Sequence, residues 1–132
     1  MPGIDELETL SRANLGFYEA FQTLDPEKMD AVWAETEDVT AVHPGWALIK
    51  GRSAVMESWR RIFENPSMMQ FAVTGVELRV EGNVGWVTCT ENITSLVDGQ
   101  VGESRVQGTN VYVRRGTEWR MVHHHGSPVM RR

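Results

Sequence analysis

The chain has a single cysteine, Cys89, among 132 residues, so no internal disulfide holds it together and a packed core must do so. Cys89 lies in the apolar-rich run 84–93, where it reads as a small buried hydrophobe rather than a reactive thiol. Basic residues are also scarce, 13 against 18 acids, for a net charge of -5. The arginine pairs at 60–61, 114–115 and 131–132 are scattered rather than gathered into a stripe, which excludes nucleic acid as an expected partner. No apolar run approaches the ~20 residues of a membrane-spanning helix, so no membrane partner is expected. The N-terminal stretch MPGIDELETL has neither the basic nor the apolar region of a secretory signal. A cytoplasmic location is the expectation, and the sequon Asn92-Ile93-Thr94 is then without consequence. There is no internal repeat, low-complexity tract or linker, and the length suits a single domain spanning 1–132.

What is present reads as helices followed by a meander. Leu7, Leu10, Phe17, Phe21 and Leu24 recur at helical spacing. Asp25-Pro26-Glu27 restarts a short second helix that runs to about Glu35 and buries Met29, Val32 and Trp33, because aspartate caps and proline suits the first turn. Residues 39–49 predict two short strands, or a strand and a bent loop, around Pro44-Gly45. Val55, Met56, Trp59, Ile62 and Phe63 predict a third helix over 52–64. After Asn65-Pro66, four strands are expected at about 68–80, 83–97, 101–114 and 117–126. They are separated by Glu81-Gly82-Asn83, Asp98-Gly99-Gln100 and Arg115-Gly116, sequences suited to tight hairpins. The fold class is therefore α+β, with three N-terminal helices packed on a mostly antiparallel sheet. Both faces of the strands carry apolar residues, Val87 and Cys89 against Trp86, and Trp119 and Met121 against Val122. A homodimer would cover the second face.

Several strings resemble the nuclear-transport-factor-2-like superfamily in its SnoaL-like and ketosteroid-isomerase-like branches. They are the break at Leu24-Asp25-Pro26, the His43-Pro44 turn followed by Lys50-Gly51-Arg52, and the closing run Trp119 to Ser127. The closing run is also similar to the end of the association domain of calcium/calmodulin-dependent kinases. The resemblance implies a cone-shaped domain, usually dimeric, whose curved sheet wraps a pocket that hosts isomerases, hydrolases, cyclases, dehydratases or plain binders. It does not choose among these functions. In the isomerases an aspartate before a proline is the base, and His43 stands at that place. The tyrosine and acid of their oxyanion hole find Phe17 and Thr109 as nearest matches, with Tyr18 one residue away, so that set is absent as such.

The candidate catalytic residues are His43, Glu91 and His124. His43, at the mouth or wall of the cone, is either a general base or a structural histidine. Glu91 and Asn92 interrupt an apolar strand, and one of them must face inward; a buried Glu91 serves acid–base work, an edge acid does not. Alternate residues of His123-His124-His125 point to opposite faces, so only His123 and His125 can share a metal site, and no third ligand accompanies them; no metal and no cofactor are expected. Register with the isomerases points Val122, His124 and Gly126 inward, an assignment that one bulge reverses. Candidate binding residues are Tyr18, Trp33, Trp46, Trp59, Asn92 and Asn110. The tryptophans suit the walls of a site for a small hydrophobic or aromatic molecule, and core packing explains each equally well. The expected activity is of isomerase, cyclase or hydrolase type on a carbonyl-bearing organic ligand; the alternative is a non-catalytic ligand-sensing or oligomerisation module.

Overall fold

The computed structural model describes residues 4–64 and 68–130. The expected break at Asn65-Pro66 and the arginine pair at 131–132 lie outside the described residues. Three helices, α1 (Ile4–Gln22), α2 (Pro26–Val32) and α3 (Arg52–Phe63), accompany six strands. These are β1 (Thr40–Val42), β2 (Ile49–Lys50), β3 (Met68–Glu81), β4 (Val84–Val97), β5 (Gln100–Arg115) and β6 (Glu118–Pro128). They form one sheet in the order β2-β1-β6-β5-β4-β3. Only β1 and β6 run parallel; every other pair is antiparallel.

Local chemistry sets the boundaries. Asp25 caps α2, its carboxylate accepting from the amides of Glu27 (3.0 Å) and Lys28 (3.2 Å). The helix ends at Val32, three residues earlier than the pattern predicts. Trp33 turns extended, bridges to Met121 of β6, and is followed by an Ala34 amide that donates to the Met121 carbonyl. Sheet pairing outweighs helical periodicity there. The Arg52 guanidinium satisfies the carbonyls left at this helix end, those of Asp30, Trp33 and Ala34, at 2.8–3.0 Å. Leu24 lies beyond α1 with φ 54° and is exposed, so it leaves the expected apolar stripe. The β4–β5 hairpin closes through Asp98 (φ 52°) and Gly99 (φ 77°), the pair of left-handed residues that a two-residue turn requires.

The core fills the space between helices and sheet. The buried stripe of α1 is Leu10, Asn14, Phe17, Tyr18 and Phe21, wide enough to include neighbours in sequence. Phe17, Phe21 and Trp59 of α3 form a cluster of edge-to-face rings 4.9–6.2 Å apart. The inner face of the sheet carries Val87, Cys89 and Glu91, then Val106, Gly108, Asn110 and Tyr112, then Trp119, Met121, His124 and Gly126.

In β6 the inward set changes phase. Met121 pairs with Tyr112 and His123 with Val111, so Val122 is the extra residue of a bulge. The expected inward course of Val122 is thereby corrected: Trp119 and Met121 face inward before the bulge, His124 and Gly126 after it.

Gly85 lets α1 approach the sheet. A Cβ there would lie 2.9 Å from both Leu10 methyls and 3.2 Å from the Trp119 ring. Gly85→Val therefore makes the Leu10 side chain, or α1 with it, give way, and should cost about 1–3 kcal/mol in urea denaturation, as overpacking does. Wild-type stability in this variant would mean that α1 does not depend on that contact.

Candidate functional site

The interior polar groups come from four elements. Residues 14 and 18, one turn apart on α1, bring an amide and a phenol over the sheet; β4 supplies Glu91, and β5 and β6 supply Asn110 and His124 as a cross-strand pair. Tyr18 donates to Glu91 Oε2 at 2.6 Å, and its hydroxyl lies 3.1 Å from Cys89 Sγ. Asn110 Nδ2 donates to Asn14 Oδ1 (3.0 Å) and to the Tyr18 oxygen (3.1 Å), while Asn110 Oδ1 meets His124 Nδ1 at 2.6 Å. The Tyr112 hydroxyl donates to Asn14 Oδ1 at 2.8 Å. Glu91, Asn110 and His124 are all buried. The network is continuous from Glu91 to His124.

Gly108 makes room for it. A Cβ at that position would lie 2.9 Å from Glu91 Oε2 and 3.1 Å from the Tyr18 oxygen. Burial pushes the Glu91 carboxyl up from the ordinary carboxylate range, against the pull of the Tyr18 hydrogen bond. Burial pushes the Tyr18 hydroxyl up too, and an ionised Glu91 would add to the shift, so Tyr18 stays a donor.

The second cluster adjoins the first. His43 follows β1 and starts a turn through Pro44 and Gly45, closed by the Trp46 amide donating to the His43 carbonyl at 2.8 Å. The His43 ring is buried, which fits the wall rather than the mouth of the cone among the two places expected for it. It stands against Trp59 (4.6 Å) and Trp46 (5.0 Å), and 6.2 Å from the His124 ring. The Ser58 hydroxyl donates to the Val55 carbonyl at 2.6 Å, so it must accept from His43 Nε2–H at 2.8 Å. That leaves the proton of neutral His43 on Nε2 and a lone pair on Nδ1. Burial lowers the His43 pKa from 6.5 to about 4. His124 is held well below its ordinary value by burial first and then by His43, His123 and His125. Both imidazoles are therefore neutral near pH 7.

Most of the expected site residues converge and some do not. Tyr18, His43, Trp59, Glu91, Asn110 and His124 share one interior. Asn92 is corrected: it faces the other side of β4 and donates to the Ala72 carbonyl and the Thr74 hydroxyl across β3. Trp46 is 41% exposed and touches the site only through His43. Trp33 is core, packed where α2 meets β6. Thr109 alternates with the inward Asn110, so the penultimate strand contributes an amide where the isomerase resemblance looked for an acid. His123 and His125 face outward with rings 5.9 Å apart, His123 Nδ1 lying 2.7 Å from the Thr40 hydroxyl. Among the described residues no group of three or more His, Cys, Asp or Glu side chains is placed to hold a metal. The reading missed Asn14, Ser58 and Tyr112. Asn14 was detectable as a polar residue inside the apolar stripe of α1, whereas Ser58 gave no signal.

The shifted histidines give the stability a pH dependence with a definite sign. Between about pH 4 and 6.5 the unfolded chain protonates His43 and the folded chain does not. This stabilisation is complete above pH 6.5 and is lost as the pH falls through that window, by about 3 kcal/mol for His43. His124 adds in the same direction, and the raised Glu91 opposes it. Urea denaturation across the window should show falling stability toward acid. His43→Gln, whose amide still donates to Ser58, should flatten part of the slope; an unchanged slope in that variant would show that His43 is not the titrating group.

Comparison with known proteins places this geometry in a family. A model of the SnoaL-like domain matches residues 10–131. A solved structure of a candidate dehydratase of the NTF2-like family from Streptomyces avermitilis is 36% identical, with a TM-score of 0.87 over 96% of this chain and 97% of that one. A candidate association domain of calcium/calmodulin-dependent protein kinase type II from Thiobacillus denitrificans is 32% identical, with a TM-score of 0.84 over 92% and 96%. Among curated proteins, the F-box protein SKIP8 of Arabidopsis thaliana is 28% identical over 117 residues, 89% of this chain. The chain spans about half the length of that relative, 48%. With three helices on a curved, mostly antiparallel sheet and a family match over nearly its whole length, the chain belongs to the SnoaL-like domain family of the NTF2-like fold.

Proposed function

We propose that this protein binds a small, flat, largely apolar molecule bearing a carbonyl group, and moves a proton on it as isomerases, cyclases and dehydratases do. The observation that carries this reading is convergence: two neutral imidazoles and a phenol–carboxyl pair share one aromatic-walled interior. A neutral imidazole with a bare nitrogen can take a proton from the carbon beside the carbonyl, and the electron pair then moves onto the carbonyl oxygen. A protonated Glu91, held in place by the Tyr18 hydroxyl that donates to its other oxygen, is the donor suited to that developing charge, in a buried setting. The same base returns the proton to a different carbon or to a leaving group. The buried indole N–H of Trp59 has no partner among the described residues, and a ligand oxygen would satisfy it. Ligand entry would displace the partly buried rings of Phe63 and Phe71, which touch Trp59 and Tyr18. The 36% identity to a candidate dehydratase supports the reading.

The second reading is a non-catalytic ligand-sensing or assembly module, supported by the 32% identity to a candidate kinase association domain. The outer sheet face supports assembly under either reading. It carries Trp86 beside Val111, with Val113 and Val122 nearby, all half-buried in the isolated chain. A homodimer through this face is the proposed state.

Ligand-induced stabilisation with indanone, tetralone and a steroid enone, followed by deuterium incorporation next to the carbonyl, tests the activity. Exchange should occur, and Glu91→Gln and Tyr18→Phe should each slow it roughly 100-fold or more. Binding without exchange would favour the sensing module, and neither would refute the ligand. Light scattering during size-exclusion chromatography should give about twice the 14.9 kDa chain mass. A monomer at micromolar concentration would count against the outer-face interface.

A further inference from the structure

Asn110 has no donor left for a ligand, since both of its amide hydrogens are engaged within the protein. How that amide is turned decides what its neighbours offer. The Tyr112 hydroxyl donates to Asn14 Oδ1, so Asn14 presents its oxygen, and only the NH2 of Asn110 can meet it at 3.0 Å. The Asn110 oxygen therefore faces His124, where only a ring N–H can meet it at 2.6 Å. A neutral His124 then carries its proton on Nδ1 and a lone pair on Nε2. The same NH2 donates to the Tyr18 oxygen, which turns the Tyr18 proton toward Glu91 Oε2.

We infer that Asn110 is a positioning residue: through one amide it holds His124 as the base, with Nε2 free, and aims the Tyr18 hydroxyl proton at Glu91. The inference rests on the proton-transfer reading and assigns roles within it. A base and an oxyanion donor must be set together for proton transfer, and Asn110 is bonded both to the base and to the phenol that holds the donor, Glu91. Its amide oxygen also stabilises the positive charge that His124 gains when it takes a proton, as a carbonyl behind an imidazole does at other sites. The rigidity comes from β5 and β6, where Asn110 and His124 are directly paired.

The groups that face His124 bear on its titration. Phe17 of α1 packs against the ring at 4.9 Å and Trp59 of α3 at 5.6 Å, both without charge. His43 lies 6.2 Å away, and the strand neighbours His123 and His125 also disfavour protonation of His124. Asn14, Tyr18, Tyr112 and Glu91 reach it only through Asn110.

The test reads the histidine protons directly, with no ligand needed. In the full-length 15N-labelled protein near neutral pH, long-range 1H–15N correlation should show His124 protonated on Nδ1 and bare on Nε2, its signals assigned by their loss in His124→Gln. Asn110→Leu, of similar size and without an acceptor, should lose this preference. Asn110→Asp should raise the His124 pKa by about one unit or more and move the acid limb of ketone exchange upward with it. A His124 proton on Nε2 in the wild type, or an unchanged tautomer in Asn110→Leu, would overturn the inference. The wild-type spectrum decides this even where a variant folds poorly. Ketone exchange with the wrong tautomer would sink this inference alone, whereas the expected tautomer with no exchange by any ketone would sink the proton-transfer reading beneath it.

Discussion

The interior of this protein depends on the hydrogen bond between Tyr18 and Glu91. A carboxyl group placed under a helix and over an antiparallel sheet is costly unless it is paired, and a phenol is a partner that brings no second charge. The pair fits because residue 108, opposite Cys89 on the neighbouring strand, has no side chain. From that bond the polar groups extend through Asn110 to Asn14, Tyr112 and His124, and most of the buried side-chain polarity is satisfied along one path. Among the described residues, the buried side-chain nitrogens without a partner are the indole N–H groups of Trp33 and Trp59, and Trp59 borders this path.

The fold buries that path. The aromatic cluster of Phe17, Phe21, Trp59 and Phe71 roofs it, and burial makes the imidazoles weaker bases and the acids weaker acids than in water. The two imidazoles stay neutral near pH 7, and under the proposed function that suits them to take up a proton. The same burial leaves the protein more vulnerable to acid, since its histidines gain protons when it unfolds. Stability and site chemistry thus have one physical source.

Much of this was legible in the sequence. The hairpin strings at Gly82, Asp98-Gly99 and Gly116 and the cap at Asp25 are local signals, and the structure follows them. Glu91 and Asn92 stood out as polar interruptions of β4, one of which had to face inward, and it is Glu91 that the structure buries. Other features were hidden because they are settled by contacts distant in sequence. The end of α2 is set by pairing with Met121, 88 residues from Trp33. The inward course of β6 hinges on the Val122 bulge, which no pattern of apolar residues announces when both faces are apolar. Tyr18 stands one residue from the place where the isomerase resemblance looks for a tyrosine, yet the stripe of α1 is broad enough for Phe17 and Tyr18 to be buried together, Phe17 on Trp59 and Tyr18 on Glu91. Ser58 became meaningful only once His43 was seen to be buried against it.

The central claim is that Glu91 is held as a neutral acid within a closed hydrogen-bonded path. Infrared difference spectroscopy of wild type against Glu91→Gln, near pH 6, measures this directly, because exposed carboxylates with ordinary values near 4.3 are already ionised there. The account predicts the carbonyl stretch of a protonated carboxylic acid in the wild type that is missing from the variant. A carboxylate band in its place, with no protonated carbonyl at that pH, would contradict it.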